Sequence, residues 1–152
     1  MALEYTLYQG NLQFNLDTII RILNKKKINY KIEERDHLSI FNLNADYGII
    51  LSCSHRFQKR VEYLFTKSRI EEKILVNIMI YTFRISSEFN HSVSKNMMIE
   101  IVRELVTGSK ADALFIFNSD VMIFQKENEL LQFNPDSFFF NSYELQQQLK
   151  LF

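Results

Sequence analysis

The 152-residue sequence predicts an α+β fold: a mainly antiparallel sheet with about four helices packed against it. Three observations carry that expectation. Residues 3–8 alternate apolar and polar side chains, whereas residues 16–23 and 92–107 repeat apolar ones at helical spacing. Near the C-terminus, three strand-like runs follow one another across very short polar turns. The implied order, β-α-β-β-β-α-β-α-β-β-β-α, lacks the steady strand–helix alternation of parallel doubly wound sheets.

Leu3, Tyr5 and Leu7 alternate with Glu4, Thr6 and Tyr8, the period of a half-buried strand. Asn15 or Asp17 can cap a helix carrying Leu16, Ile19, Ile20 and Leu23. Lys25, Lys26 and Lys27 suit the negative pole of its dipole, so it should end near Lys26. Three runs then read as a meander: Asn29 to Glu33, Leu38 to Leu43 and Tyr47 to Ser52, separated by Arg35-Asp36-His37 and Asn44-Ala45-Asp46. Phe57, Val61, Leu64 and Phe65 recur at helical spacing and predict a second helix from Ser54 to Thr66. Lys73 to Arg84 is β-branched and aromatic, with apolar residues on both parities, and reads as a central strand covered on both faces.

Met97, Met98, Ile101, Val102 and Leu105 give the helix from Ser92 to Thr107 a wide apolar face, with Ser92 or Ser94 as its cap and Gly108 as its stop. Ala113–Phe117, Val121–Gln125 and Glu129–Phe133 form two hairpins through Asn118-Ser119-Asp120 and Glu127-Asn128. Pro135 ends the last strand. Asn141 and Glu144 resemble a capping box for a terminal helix bearing Leu145 and Leu149. With Gly at three positions and Pro at one, no linker interrupts residues 1–152, and a single domain is expected.

Composition narrows the classes of function. Eighteen Lys and Arg balance eighteen Asp and Glu, so no global field favours nucleic acid or an acidic membrane. Cys53 is the only cysteine, which rules out an internal disulfide and makes the cytoplasm the default compartment. The first residues lack the basic and apolar regions of a secretory signal, and no stretch is long and apolar enough for a membrane helix.

The chemistry-bearing residues form no catalytic signature. Cys53 and His55 share one side of a strand end, but no Asn or Asp is placed to orient the imidazole, and a lone cysteine is usually a core residue. His37, His55 and His91 match no zinc spacing, and the isolated glycines cannot build a phosphate loop. Glu33-Glu34, Glu71-Glu72 and Glu127 with Glu129 read as solvated surface. The basic cluster at Lys25 to Lys27 reads as a helix end, answered by Glu33, Glu34 and Asp36. No cofactor, metal or catalytic residue is expected, and the chain reads as a non-enzyme. Phe138, Phe139 and Phe140 stand out because three consecutive phenylalanines cannot all face one core from a regular element. With Asp136 and Glu144 they are the expected partner-binding residues.

The opening Met-Ala-Leu-Glu-Tyr-Thr-Leu and the run Ala111-Asp112-Ala113-Leu114-Phe115-Ile116-Phe117-Asn118-Ser119-Asp120-Val121-Met122-Ile123-Phe124 resemble the two ends of immunity proteins of the swarming-inhibition-toxin (Sit) group. Ser119 stands where that group has a glycine, and the stretch from Lys25 to Arg84 carries none of the resemblance. The resemblance implies a bacterial cytoplasmic protein that binds and neutralises one cognate polymorphic toxin. A neutraliser needs a rigid complementary patch and no active site. Residues 1–76 carry a net charge of +3 and residues 77–152 of −3, so an acidic docking surface is expected on the second half. Two alternatives remain: a secretion chaperone or adaptor, a class usually acidic and dimeric where a monomer is favoured here, and an enzyme with a cryptic Cys53/His55 site.

Overall fold

The computed structural model describes residues 3–10, 16–66, 69–136 and 147. The chain runs β1 (Leu3–Gly10), α1 (Asp17–Lys25), β2 (Lys31–Arg35), β3 (Leu38–Leu43), α2 (Asn44–Tyr47), β4 (Ile49–Thr66), β5 (Arg69–Ile85), α3 (His91–Thr107), β6 (Ala113–Phe117), β7 (Val121–Glu127) and β8 (Leu130–Phe133). One sheet holds all eight strands in the order β2-β3-β4-β5-β1-β6-β7-β8. Neighbours in that order are antiparallel.

This corrects the expected α+β packing of about four helices. Strands take 55% of the described residues and helices 24%, in three helices, one of them a single turn. The main error is the helix expected from Ser54 to Thr66. That segment is instead the second half of β4, an 18-residue strand paired with the 17-residue β5 almost end to end. The spacing of Phe57, Val61, Leu64 and Phe65 satisfies a helix by coincidence, because Val61, Tyr63 and Phe65 are the residues that point inward, at period two. The partner that decides the matter, residues 69–76, is supplied by the next strand. The expected terminal helix lies outside the described residues, except for Gln147.

At about 3.3 Å per residue, β4 laid flat would run about 60 Å, far beyond the packed layers around it. The ribbon bends at Asn77, which adopts a left-handed φ of 49° in mid-strand and faces Phe57 between the pairs Arg56–Ile78 and Gln58–Val76. Asn tolerates that region better than the β-branched residues around it. On one side of the bend, Leu51, Cys53, Tyr81 and Phe83 join the main core with β1 and the inner faces of α1 and α3. Beyond it, Val61, Tyr63 and Phe65 form a second cluster with Leu114, Ile116 and Met122.

The two clusters lie on opposite faces of β6, since Phe115 and Phe117 belong to the first and Leu114 and Ile116 to the second. Every residue of β6 is therefore buried. The strand covered on both faces is β6, whereas the outer part of β5 leaves one face open.

Local chemistry sets the ends of the elements. α3 is capped by Asn90, whose Oδ1 accepts from the backbone N–H groups of Ser92 and Val93 at 3.0 and 3.3 Å, in place of the expected Ser92 or Ser94. Ser94 Oγ instead donates to Tyr47 O at 2.5 Å and ties α3 to α2. Gly108 does stop α3, but with φ of −77°, so close approach and not handedness selects glycine: an added Cβ would lie 2.8 Å from Glu104 O. α1 begins at Asp17 without a side-chain cap bond.

Candidate protein-binding surface

Alternation along the outer half of β5 places Ile70, Glu72, Ile74 and Val76 on one face, opposite Leu64, Glu62, Arg60 and Gln58 of β4. The inward residues of this ribbon fill the second cluster, and among the described residues no apolar cluster takes in the outward aliphatics. Ile70, Ile74 and Val76 are 66%, 60% and 61% exposed. Arg60 pairs with Glu72 at 2.8 Å on this face, beside Glu62, whereas the Arg69–Glu71 pair at 2.5 Å involves the inward parity of β5. The Glu72 hydrogen bond holds the Arg60 guanidinium above its ordinary pKa. An aliphatic row set among mutually paired charges is the composition of a protein contact with a polar rim. Phe57, at the bend, is also largely exposed and lies edge-on to the His55 ring at 4.9 Å.

The ridge is held rigidly from beneath. Gln125 Oε1 on β7 accepts from Tyr63 Oη at 3.2 Å and from Lys73 Nζ at 3.0 Å, and Lys73 also pairs with Glu127. Burial pushes the Lys73 ammonium below its ordinary pKa, against the opposing pull of Asp112 and Glu71. Leu64 N–H donates to Asp120 O at 2.6 Å, where β4 meets β7 in a single parallel bridge. A preformed contact surface costs little ordering on binding.

Val76 and Asn77 also line a cleft of about 810 Å³ between α1 and the C-terminal end of α3. Its floor includes Tyr81 and Leu105, and its rim carries Arg21, Lys25, Lys110 and Glu104.

Of the expected partner-binding residues, Asp136 is half-buried, and its N–H donates to Asn134 Oδ1 at 2.9 Å in the turn after β8. Phe138, Phe139, Phe140 and Glu144 lie outside the described residues. Ile70, Ile74 and Val76 were not singled out by the sequence, because an apolar run on both parities reads as a strand with two covered faces. Glu72, two positions from both Ile70 and Ile74, was the signal that their face meets water.

Cys53 and His55 do not make a nucleophilic pair. Cys53 is a main-core residue opposite Tyr81, and burial pushes its thiol up to about 12, so the thiolate is absent near neutrality. His55 lies against Phe57 at the bend, and desolvation pushes its imidazole below the ordinary value. His37, His55 and His91 sit on the β2–β3 turn, on β4 and at the start of α3. Among the described residues, no group of three His, Cys, Asp or Glu is placed to hold a metal ion. Among the same residues, no helix is long and apolar enough to cross a membrane.

Comparison with known proteins gives one match. No curated protein and no solved structure matches the chain. A family model, SitI3-like, matches residues 33–144, from β2 through the second cluster and past β8. That range takes in the Ala111–Phe124 hairpin that carried the resemblance and begins after the N-terminal strand. The chain belongs to the SitI3-like family, which fits an immunity protein of the Sit type.

Proposed function

We propose that this protein binds a bacterial toxin domain and neutralises it by surface contact, without chemistry of its own. The observation that carries the reading is the family match across residues 33–144; the surface that supports it is the ridge of Ile70, Ile74 and Val76. Apolar side chains held out by a clasped ribbon are anchors that a partner can desolvate, and the Arg60–Glu72 pair beside them belongs to the rim. The buried, protonated Cys53 favours this reading over an enzyme built on Cys53 and His55.

The test is co-expression with the toxin domain encoded in the adjacent upstream reading frame. Growth is restored by this chain, the two proteins co-purify, and the complex lacks toxic activity. An upstream frame without a toxin, or arrest that this chain does not relieve, overturns the reading.

A further inference from the structure

We propose that the cleft between α1 and the end of α3 receives an acidic segment of the same partner; this rests on the immunity reading above and names the chemistry that the partner must present. Among the described residues, three cations, Arg21, Lys25 and Lys110, line the cleft against one carboxylate, Glu104, a surplus of two positive charges. Lys25 and Glu104 pair at 3.4 Å. Arg21 and Lys110 are exposed, and among the described residues neither has an ion-pair partner.

The obvious internal source of negative charge is already engaged. The last carbonyls of α3 form the negative pole of its dipole. Leu105 O accepts from Gln9 Nε2 at 2.7 Å, and Val106 O and Ser109 O accept from the buried Lys126 Nζ at 2.9 and 2.5 Å. Lys126 thus answers that pole from inside, and among the described residues no carboxylate pairs with the exposed Arg21 or Lys110. Residues 11–15, which join β1 to α1, contain no acidic side chain. Val76 belongs to both the ridge and the cleft wall, so an apolar anchor on the ridge and a carboxylate in the cleft are reached by one continuous contact. The Arg21 fork matches a carboxylate with two parallel hydrogen bonds, and Lys110 adds a point charge.

The test measures binding of the upstream-encoded toxin domain to the wild type, to Arg21→Glu/Lys110→Glu, and to Lys26→Glu/Lys27→Glu. The last is a control with the same charge change at the end of α1, outside the cleft. The cleft variant loses at least about tenfold in affinity, chiefly through a slower and less salt-sensitive association, and the control changes by less than about threefold. Circular dichroism verifies that both variants are folded. Equal losses in both variants, or wild-type affinity in the cleft variant, overturn the cleft assignment and leave the immunity reading standing. Absence of binding by the wild type itself overturns both.

Discussion

Tyr63 and Gln125, 62 positions apart, are joined by a buried hydrogen bond of 3.2 Å that fastens the outer β4–β5 ribbon to β7. The two ends of the bond are not equivalent. Gln125 keeps Lys73 as a second donor, and its Nε2 donates to Gln132 Oε1 at 2.9 Å, so Tyr63→Phe costs about 1 kcal/mol. Gln125→Leu strands the Tyr63 hydroxyl, leaves the Lys73 ammonium to Glu127 alone and costs more, about 2 kcal/mol. Urea unfolding of the two variants and of the double variant checks the order. Equal costs would mean that the bond does not clasp the ribbon.

The turns give a prediction of opposite sign. Asn118 and Ser119 both have positive φ, 50° and 65°, between β6 and β7. Ser119 therefore occupies a position that favours glycine, and Ser119→Gly raises stability by about 0.5–1 kcal/mol. Gly48 obeys the same rule from the other side: its φ is 64°, and an added Cβ would lie 2.5 Å from Phe89 Cβ and Cγ, so Gly48→Ala is destabilising. At the bend, Asn77→Gly is tolerated and Asn77→Val loses about 1–2 kcal/mol. Thermal melts of the four variants separate these signs.

What the sequence made legible was local. The strand at Leu3, the hairpin strands at Ala113, Val121 and Leu130, and the helix ending at Gly108 all follow from alternation, turn residues and a wide apolar face within a dozen positions. The β4–β5 ribbon is a non-local object. Whether residues 54–66 become strand depends on residues 69–80 lying beside them, and nothing in the period of Phe57, Val61 and Leu64 carries that information. The candidate surface was missed for the same reason, since Ile74 looks like core until the ribbon bends and turns its outer face to water. The cap of α3 is Asn90, two positions before Ser92 and four before Ser94, the two expected caps. Asn90 precedes the apolar pattern and is followed by two serines that compete for the role on sequence alone.

That cap is measurable. Asn90 Oδ1 satisfies two of the first N–H groups of α3, so Asn90→Ala costs about 1 kcal/mol, whereas Ser92→Ala, at a position whose side chain does not cap, changes stability by less than about 0.5 kcal/mol. Denaturant midpoints for the pair decide which residue closes the helix.

The ridge predicts a separation of stability from binding. Ile70 and Ile74 are mostly in water, so Ile70→Ser and Ile74→Ser shift stability by no more than about 0.5 kcal/mol each. If they anchor a partner, each weakens toxin binding by about 1–2 kcal/mol, because a buried anchor loses its whole contact on truncation. Calorimetric titration alongside thermal melts reads both effects. A large loss of stability would show that these side chains serve the fold instead.

Alkaline pH tests the core itself. Burial pushes the Cys53 thiol from 9.0 up to about 12 and the Tyr63 phenol from 10.0 to about 12, and it raises Tyr5 and Tyr81 further. Raised values mean that the folded state prefers the protonated groups. Below pH 9 both folded and unfolded chains hold these protons, and the stabilisation is fully present. As pH climbs from 9 toward 12, the unfolded chain releases protons that the native core retains, so stability falls with a slope set by that difference in bound protons. The urea midpoint should decline steadily above pH 9. Absorbance at about 295 nm, where tyrosinate is read, should show Tyr5, Tyr63 and Tyr81 ionising only together with the loss of native circular dichroism. Reversible titration of all seven tyrosines near pH 10 in a folded protein would contradict the packing of both clusters.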